Sequence, residues 1–127
     1  MELRYFRYEE FDCKCKKCRT HSDGLGIDVM DLDFLLMLDD ARHKAGVSFV
    51  ITSGVRCSSH NRAVGGKKSS SHLKGLAADI SCPDERTRGY ILGALYDAGF
   101  NRIGIGRTFI HVDDDDGKTE DLVWLYD

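Results

Sequence analysis

Between about Asp28 and Ala45, apolar residues fall at Val29, Leu32, Leu35, Leu36, Leu38 and Ala41. Most of these positions return to one face at helical spacing, which predicts an amphipathic helix that Gly46 ends. The pattern then changes. The run VSFVITSG is rich in β-branched residues and reads as a strand closed by Gly54. Cys57 to Val64 reads as a short helix or turn, and GGKKSSS as a polar loop. LAADIS reads as a short buried strand. Pro83 and Asp84 open a second helix, from about Asp84 to Ala98, with Gly99 closing it. RIGIG and TFIHVD alternate as two paired strands across Arg107. DDDDGKT is a turn, with Asp114 to Asp116 solvated, and LVWLYD a last strand. Strands gathered late, with helices set between, predict an α+β fold rather than a parallel βαβ sheet.

Length and composition narrow this picture. The chain has 127 residues and a single proline, with no repeat and no low-complexity linker. It reads as one domain over residues 1–127 with a modest core. Hydrophobic residues make up 42% and charged residues 31%, the balance of a soluble globular protein. The net charge of −3 supplies no general basic field, so a nucleic-acid partner is not expected. Local basic clusters at Lys14, Lys16, Lys17 and Arg19, and at Arg62, Lys67 and Lys68, read as solvated loops. No apolar run approaches the ~20 residues that cross a bilayer, so no membrane insertion is expected. The start, MELRYFRYEEF, lacks the basic-then-apolar layout of a secretory leader, which predicts synthesis in the cytoplasm. A monomer is expected.

Two polar residues interrupt apolar strands, and a loop histidine stands shortly before the first of them. His72 follows the polar loop, Asp79 lies within the strand LAADIS, and His111 sits between Ile110 and Val112. A buried carboxylate needs a partner or a metal. If the two strands pair, all three side chains can converge on one ion, and a catalytic zinc uses three protein ligands and an open water position. From spacing alone two readings stand: a loop histidine with two separately satisfied strand residues, or a shared metal site. A two-histidine, one-carboxylate set suits zinc but also serves iron. The five cysteines form a second feature. Cys13, Cys15, Cys18 and His21 lie within nine residues, and either remain thiols or close a structural zinc in one cramped loop. Cys57 and Cys82 each follow a core strand closely and are expected near one another.

The stretch ITSGVRCSSHNRAVGGKKSSSHLKGLAADI, followed by FIHVD, resembles the zinc D-Ala-D-Ala carboxypeptidase-type peptidases, the first subfamily of the peptidase M15 family. The wider superfamily includes phage peptidoglycan endolysins and the hedgehog signalling domain. The shared pattern is Ser-Gly-x-Arg, then Ser-x-His-x6-Asp, then a strand ending His-x-Asp. The resemblance covers roughly Phe6 to Trp124. It implies a small α+β domain of the hedgehog and DD-peptidase type, with an antiparallel sheet, flanking helices and a zinc site on the sheet. It implies His72, Asp79 and His111 as the zinc ligands. Arg56 matches the arginine that holds a substrate carboxylate or polarises the scissile carbonyl, for which a planar guanidinium is suited. Ser70 matches a serine that binds substrate or caps the turn, and His60 and Asn61 stand where supporting residues are found.

The sequence also departs from that pattern. Many members carry a Glu three residues before the last ligand histidine, or a His two before it; here those positions are Thr108 and Phe109. Asp113 shares a strand face with His111 and becomes the expected general base; the other reading is a carboxylate that supports the site or its turn. Val55 stands where a Tyr commonly precedes the Arg. The function implied is a zinc metallopeptidase acting on peptidoglycan stem peptides, as an endolysin-type endopeptidase or a D,D-carboxypeptidase. It would come from a phage or prophage, and act on the wall after release or from the virion. A non-catalytic, zinc-bearing binding module of the hedgehog-like type is the alternative.

Overall fold

The computed structural model describes residues 3–15 and 30–126. It is an α+β domain with a five-stranded sheet, three helices and two short 3-10 turns. The strands are β1 (Ile51–Ser53), β2 (Ala77–Ser81), β3 (Arg102–Ile105), β4 (Phe109–Asp113) and β5 (Leu122–Leu125). The helices are α1 (Leu32–Ala45), α2 (Ser58–Ala63) and α3 (Glu85–Asp97), and the 3-10 turns are Tyr8–Phe11 and Ser71–Lys74. The sheet order is β1-β2-β4-β3-β5. Every pairing is antiparallel except β3 with β5, which is parallel.

Local chemistry sets the element boundaries. Asp31 caps α1 by accepting the Phe34 amide at 2.9 Å, and Asp84 caps α3 by accepting the Thr87 amide at 2.7 Å. The expected first helix thus begins at Leu32, inside its predicted start; Asp28 and Val29 lie outside the described residues. Of the strand predicted over VSFVITSG, Ile51–Ser53 is formed, and the Val50 carbonyl before it accepts the Ser81 amide at 2.8 Å.

Period-two alternation divides the sheet into two faces. Ala78, Ile80, Ile103, Ile110 and Val112 join the core with Phe34, Leu35, Leu38, Ile91 and Leu95 of α1 and α3. Phe34 and Phe100 meet edge to face within it, ring centroids 5.7 Å apart. Asp79, Gly104, His111 and Asp113 alternate with those residues and occupy the opposite face. The N-terminal segment is tied down at two points. Buried Asp39 of α1 accepts the Arg4 and Tyr5 amides at 3.1 and 2.9 Å. Phe11 accepts the Val55 amide at 2.9 Å. Gly54 makes that second approach possible: a Cβ there would lie 2.5 Å from the Phe11 carbonyl oxygen. Among the described residues no helix is long and apolar enough to cross a membrane.

Candidate metal centre

Strand pairing assembles the centre. Asp79 on β2 stands directly opposite His111 on β4. The same level continues outward, from Asp79 to Ser53 on β1, from His111 to Gly104 on β3, and from Gly104 to Trp124 on β5. One row therefore crosses all five strands. His72 reaches it from the turn Ser71–Lys74, whose start is fixed by Ser70, the oxygen of which accepts the His72 amide at 3.2 Å.

The hydrogen bonds fix which nitrogen of each ring faces inward. Nδ1 of His72 lies 2.7 Å from the Gly54 carbonyl oxygen, which can only accept, so Nδ1 carries the proton and Nε2 presents a lone pair. That Nε2 lies 3.3 Å from Oδ1 of Asp79. His111 is turned the other way: its Nε2 donates to Oδ2 of Asp113 at 2.8 Å, and its Nδ1 lies 3.0 Å from the same Asp79 oxygen. With both rings neutral, three acceptor atoms converge on one point, an arrangement that calls for a cation. Ligands about 2.0–2.1 Å from a tetrahedral zinc stand roughly 3.3 Å apart, so the observed separations of 3.0 and 3.3 Å fit such an ion. The donor chemistry fits as well: two imidazoles and a carboxylate, each oriented by a further partner.

Asp79 owes its orientation to Arg56, whose Nη2 donates to Oδ2 at 3.3 Å. Burial would raise the Asp79 pKa; without a cation, a second proton on His111 or His72 turns its inward nitrogen into a donor to Asp79, and these bonds outweigh burial and hold the carboxyl well below the usual range. The Arg56 Nε donates to Ser53 Oγ at 3.1 Å, and Nη1 to Asn61 Oδ1 at 3.2 Å. Asn61 is buried and donates to the Lys67 carbonyl, so it supports Arg56 and the polar loop.

Asp113 sits differently from its expected role as a base. It does share the His111 face, but it lies on the far nitrogen of the ring, 1% exposed. Its Oδ1 takes Nε of Arg102 at 2.7 Å and the Asp115 amide at 3.2 Å. Burial would raise its pKa; the bonds from His111 and Arg102 prevail and lower it. Both oxygens are engaged, so the geometry makes Asp113 the support of His111. The same donors keep it ionised, and this in turn raises the His111 pKa against the effect of burial.

Two contributors were not foreseen. Asp115, expected to be solvated, is buried; it accepts the Ser71 hydroxyl at 2.8 Å and Lys74 Nζ at 3.1 Å, bracing the turn that carries His72. The aromatic rings of Trp124 and Tyr126 lie 5.6 and 6.3 Å from the His111 ring. They fill the space Gly104 leaves, where a Cβ would fall 2.5 Å from Tyr126 and 2.6 Å from Trp124. A carboxylate two residues past a strand aspartate, and an aromatic pair in a terminal strand, are weak signals by themselves.

The cysteines regroup. Cys13, Cys15 and Cys57 come together with ligand atoms within 4.8 Å of one another. Cys18 and His21 lie outside the described residues. Cys57 does not meet Cys82 as expected; the buried Cys82 thiol donates to the Asp84 carbonyl at 3.6 Å.

Comparison with known proteins accords with this site. No curated protein matches the chain. The model of the family described as Peptidase M15 matches residues 4–113, most of the chain, and the match takes in His72, Asp79, His111 and Arg56. The chain thus belongs to the peptidase M15 family, a family of metallopeptidases.

Proposed function

We propose that this protein is a zinc peptidase that hydrolyses an amide next to a D-amino acid in peptidoglycan stem peptides. The observation that carries the reading is the convergence of His72 Nε2, His111 Nδ1 and Asp79 Oδ1 on one point in a chain of the M15 family. Zinc bound there would supply a water acidified to a pKa near 7 and polarise the substrate carbonyl. The remaining work falls to the chain. Arg56 uses three of its five N–H groups on Ser53, Asn61 and Asp79, and the others are suited to a substrate carboxylate or carbonyl. Ser70 shapes the His72 turn and offers its hydroxyl to substrate. Asp113 and Arg102 keep His111 in the tautomer that binds through Nδ1. Trp124 and Tyr126 form an apolar wall beside His111. The biological setting we infer is a phage or prophage lysis or virion enzyme, made in the cytoplasm, acting as a monomer on the wall.

Incubation with defined muropeptides, read by mass spectrometry, tests this. Loss of terminal D-Ala marks a carboxypeptidase, and a cut within the stem or cross-link an endopeptidase. Intact substrate in the presence of bound zinc rejects the peptidase reading. It selects the second one, a metal-bearing binding module, which the engagement of both Asp113 oxygens favours.

A further inference from the structure

We propose that Cys13, Cys15 and Cys57 form a second metal site that takes a soft divalent cation of the zinc class and pins the N-terminal segment to the loop presenting Arg56. The three sulfurs come from two segments 42 and 44 residues apart. Their meeting follows from backbone register. The Val55 amide donates to Phe11, and the Cys57 amide donates to Cys13 Sγ at 3.4 Å, so the two segments run side by side at a constant offset. Two thiolates bound about 2.3 Å from a tetrahedral zinc stand roughly 3.8 Å apart. The Cys15 and Cys57 sulfurs are 3.7 Å apart, whereas a disulfide would bring them to about 2.05 Å. The surroundings suit thiolates. Cys13 Sγ accepts the Cys57 amide and Cys57 Sγ accepts the His60 amide, the N–H···S bonds that favour the charged sulfur. Binding would release the three thiol protons and leave one position of the tetrahedron to another donor. This set is drawn from two separate segments, where a cage of Cys13, Cys15, Cys18 and His21 would come from one loop, and it does not depend on peptidase activity.

Cobalt substitution and mercurial titration test it on the folded chain. Cobalt(II) should give thiolate-to-metal charge-transfer absorption in the near ultraviolet, kept in His72→Ala and lost in Cys57→Ser. Titration of the zinc-loaded His72→Ala protein with p-hydroxymercuribenzoate should release about one equivalent of metal to a chromogenic chelator. A His72→Ala protein that retains no metal, or a cobalt form without charge-transfer bands, overturns the proposal. So does a Cys15–Cys57 disulfide found by peptide mapping of protein alkylated at once on lysis. If Cys57→Ser does not fold, the parent and His72→Ala readings decide alone. Muropeptide turnover is measured separately, so either proposal can fail without the other.

Discussion

Both oxygens of Asp113 are engaged, one by His111 and the other by Arg102 and the Asp115 amide. A residue acting through its neighbour leaves a different signature from a base. Asp113→Asn should weaken metal binding about 10- to 100-fold, measured by chelator competition, because the His111 tautomer is no longer enforced. Unchanged metal affinity with turnover abolished would restore Asp113 as the base. In the core, Leu38 is fully buried, and Leu38→Ala should cost about 2–5 kcal/mol in urea unfolding. The meeting of His72, Asp79 and His111 was legible in the sequence because a His and an Asp inside apolar strands have few cheap explanations. The choice between base and support for Asp113 was not, since spacing gives the face a side chain shares but not which ring nitrogen it meets, nor that Arg102 arrives from β3.

At the scale of elements, the segment after β4 holds the His72 turn. Asp115 joins the two through Ser71 and Lys74, and Lys118 donates to the same Ser71 hydroxyl at 2.9 Å. Burial pushes the Asp115 pKa up, but the Ser71 and Lys74 bonds outweigh it and the pKa lies below its ordinary value. A carboxyl depressed on folding adds stability above its unfolded pKa of about 3.9, and the gain is lost as pH falls through the folded value. Asp115→Asn should therefore lower the urea midpoint at about pH 6, and its difference from the parent should be smaller at about pH 3. Equal midpoint differences at both pH values would contradict the clamp. The pattern of strands and helices was readable because caps and alternation are local, as at Asp84 and in FIHVD. The parallel seat of β5 beside β3 was not, because nothing within LVWLYD records its partner. The regrouping of Cys57 with Cys13 and Cys15 was hidden for the same reason: it follows from the register between distant segments.

For the whole molecule, an ion that binds only the folded chain couples folding to metal. Zinc at about 100 times its Kd should add roughly 2.7 kcal/mol of stability. The unfolding temperature should accordingly rise by several degrees with zinc and fall back with chelator, as read by calorimetry. The increment should shrink in His72→Ala. The row Ser53–Asp79–His111–Gly104–Trp124 crosses four strand spacings of about 4.8 Å, so it measures roughly 19 Å, the span of about six extended residues. The pair Asp79 and His111 falls inside that ruler and not at its end. A peptide laid along it would have a charged side toward Arg56, about two residues deep, and an aromatic side toward Trp124, about three to four residues deep. Muropeptides lengthened one residue at a time from either end should gain kcat/KM until each side is filled and then level off. The longer side of that plateau would tell which end of the chain the enzyme reads.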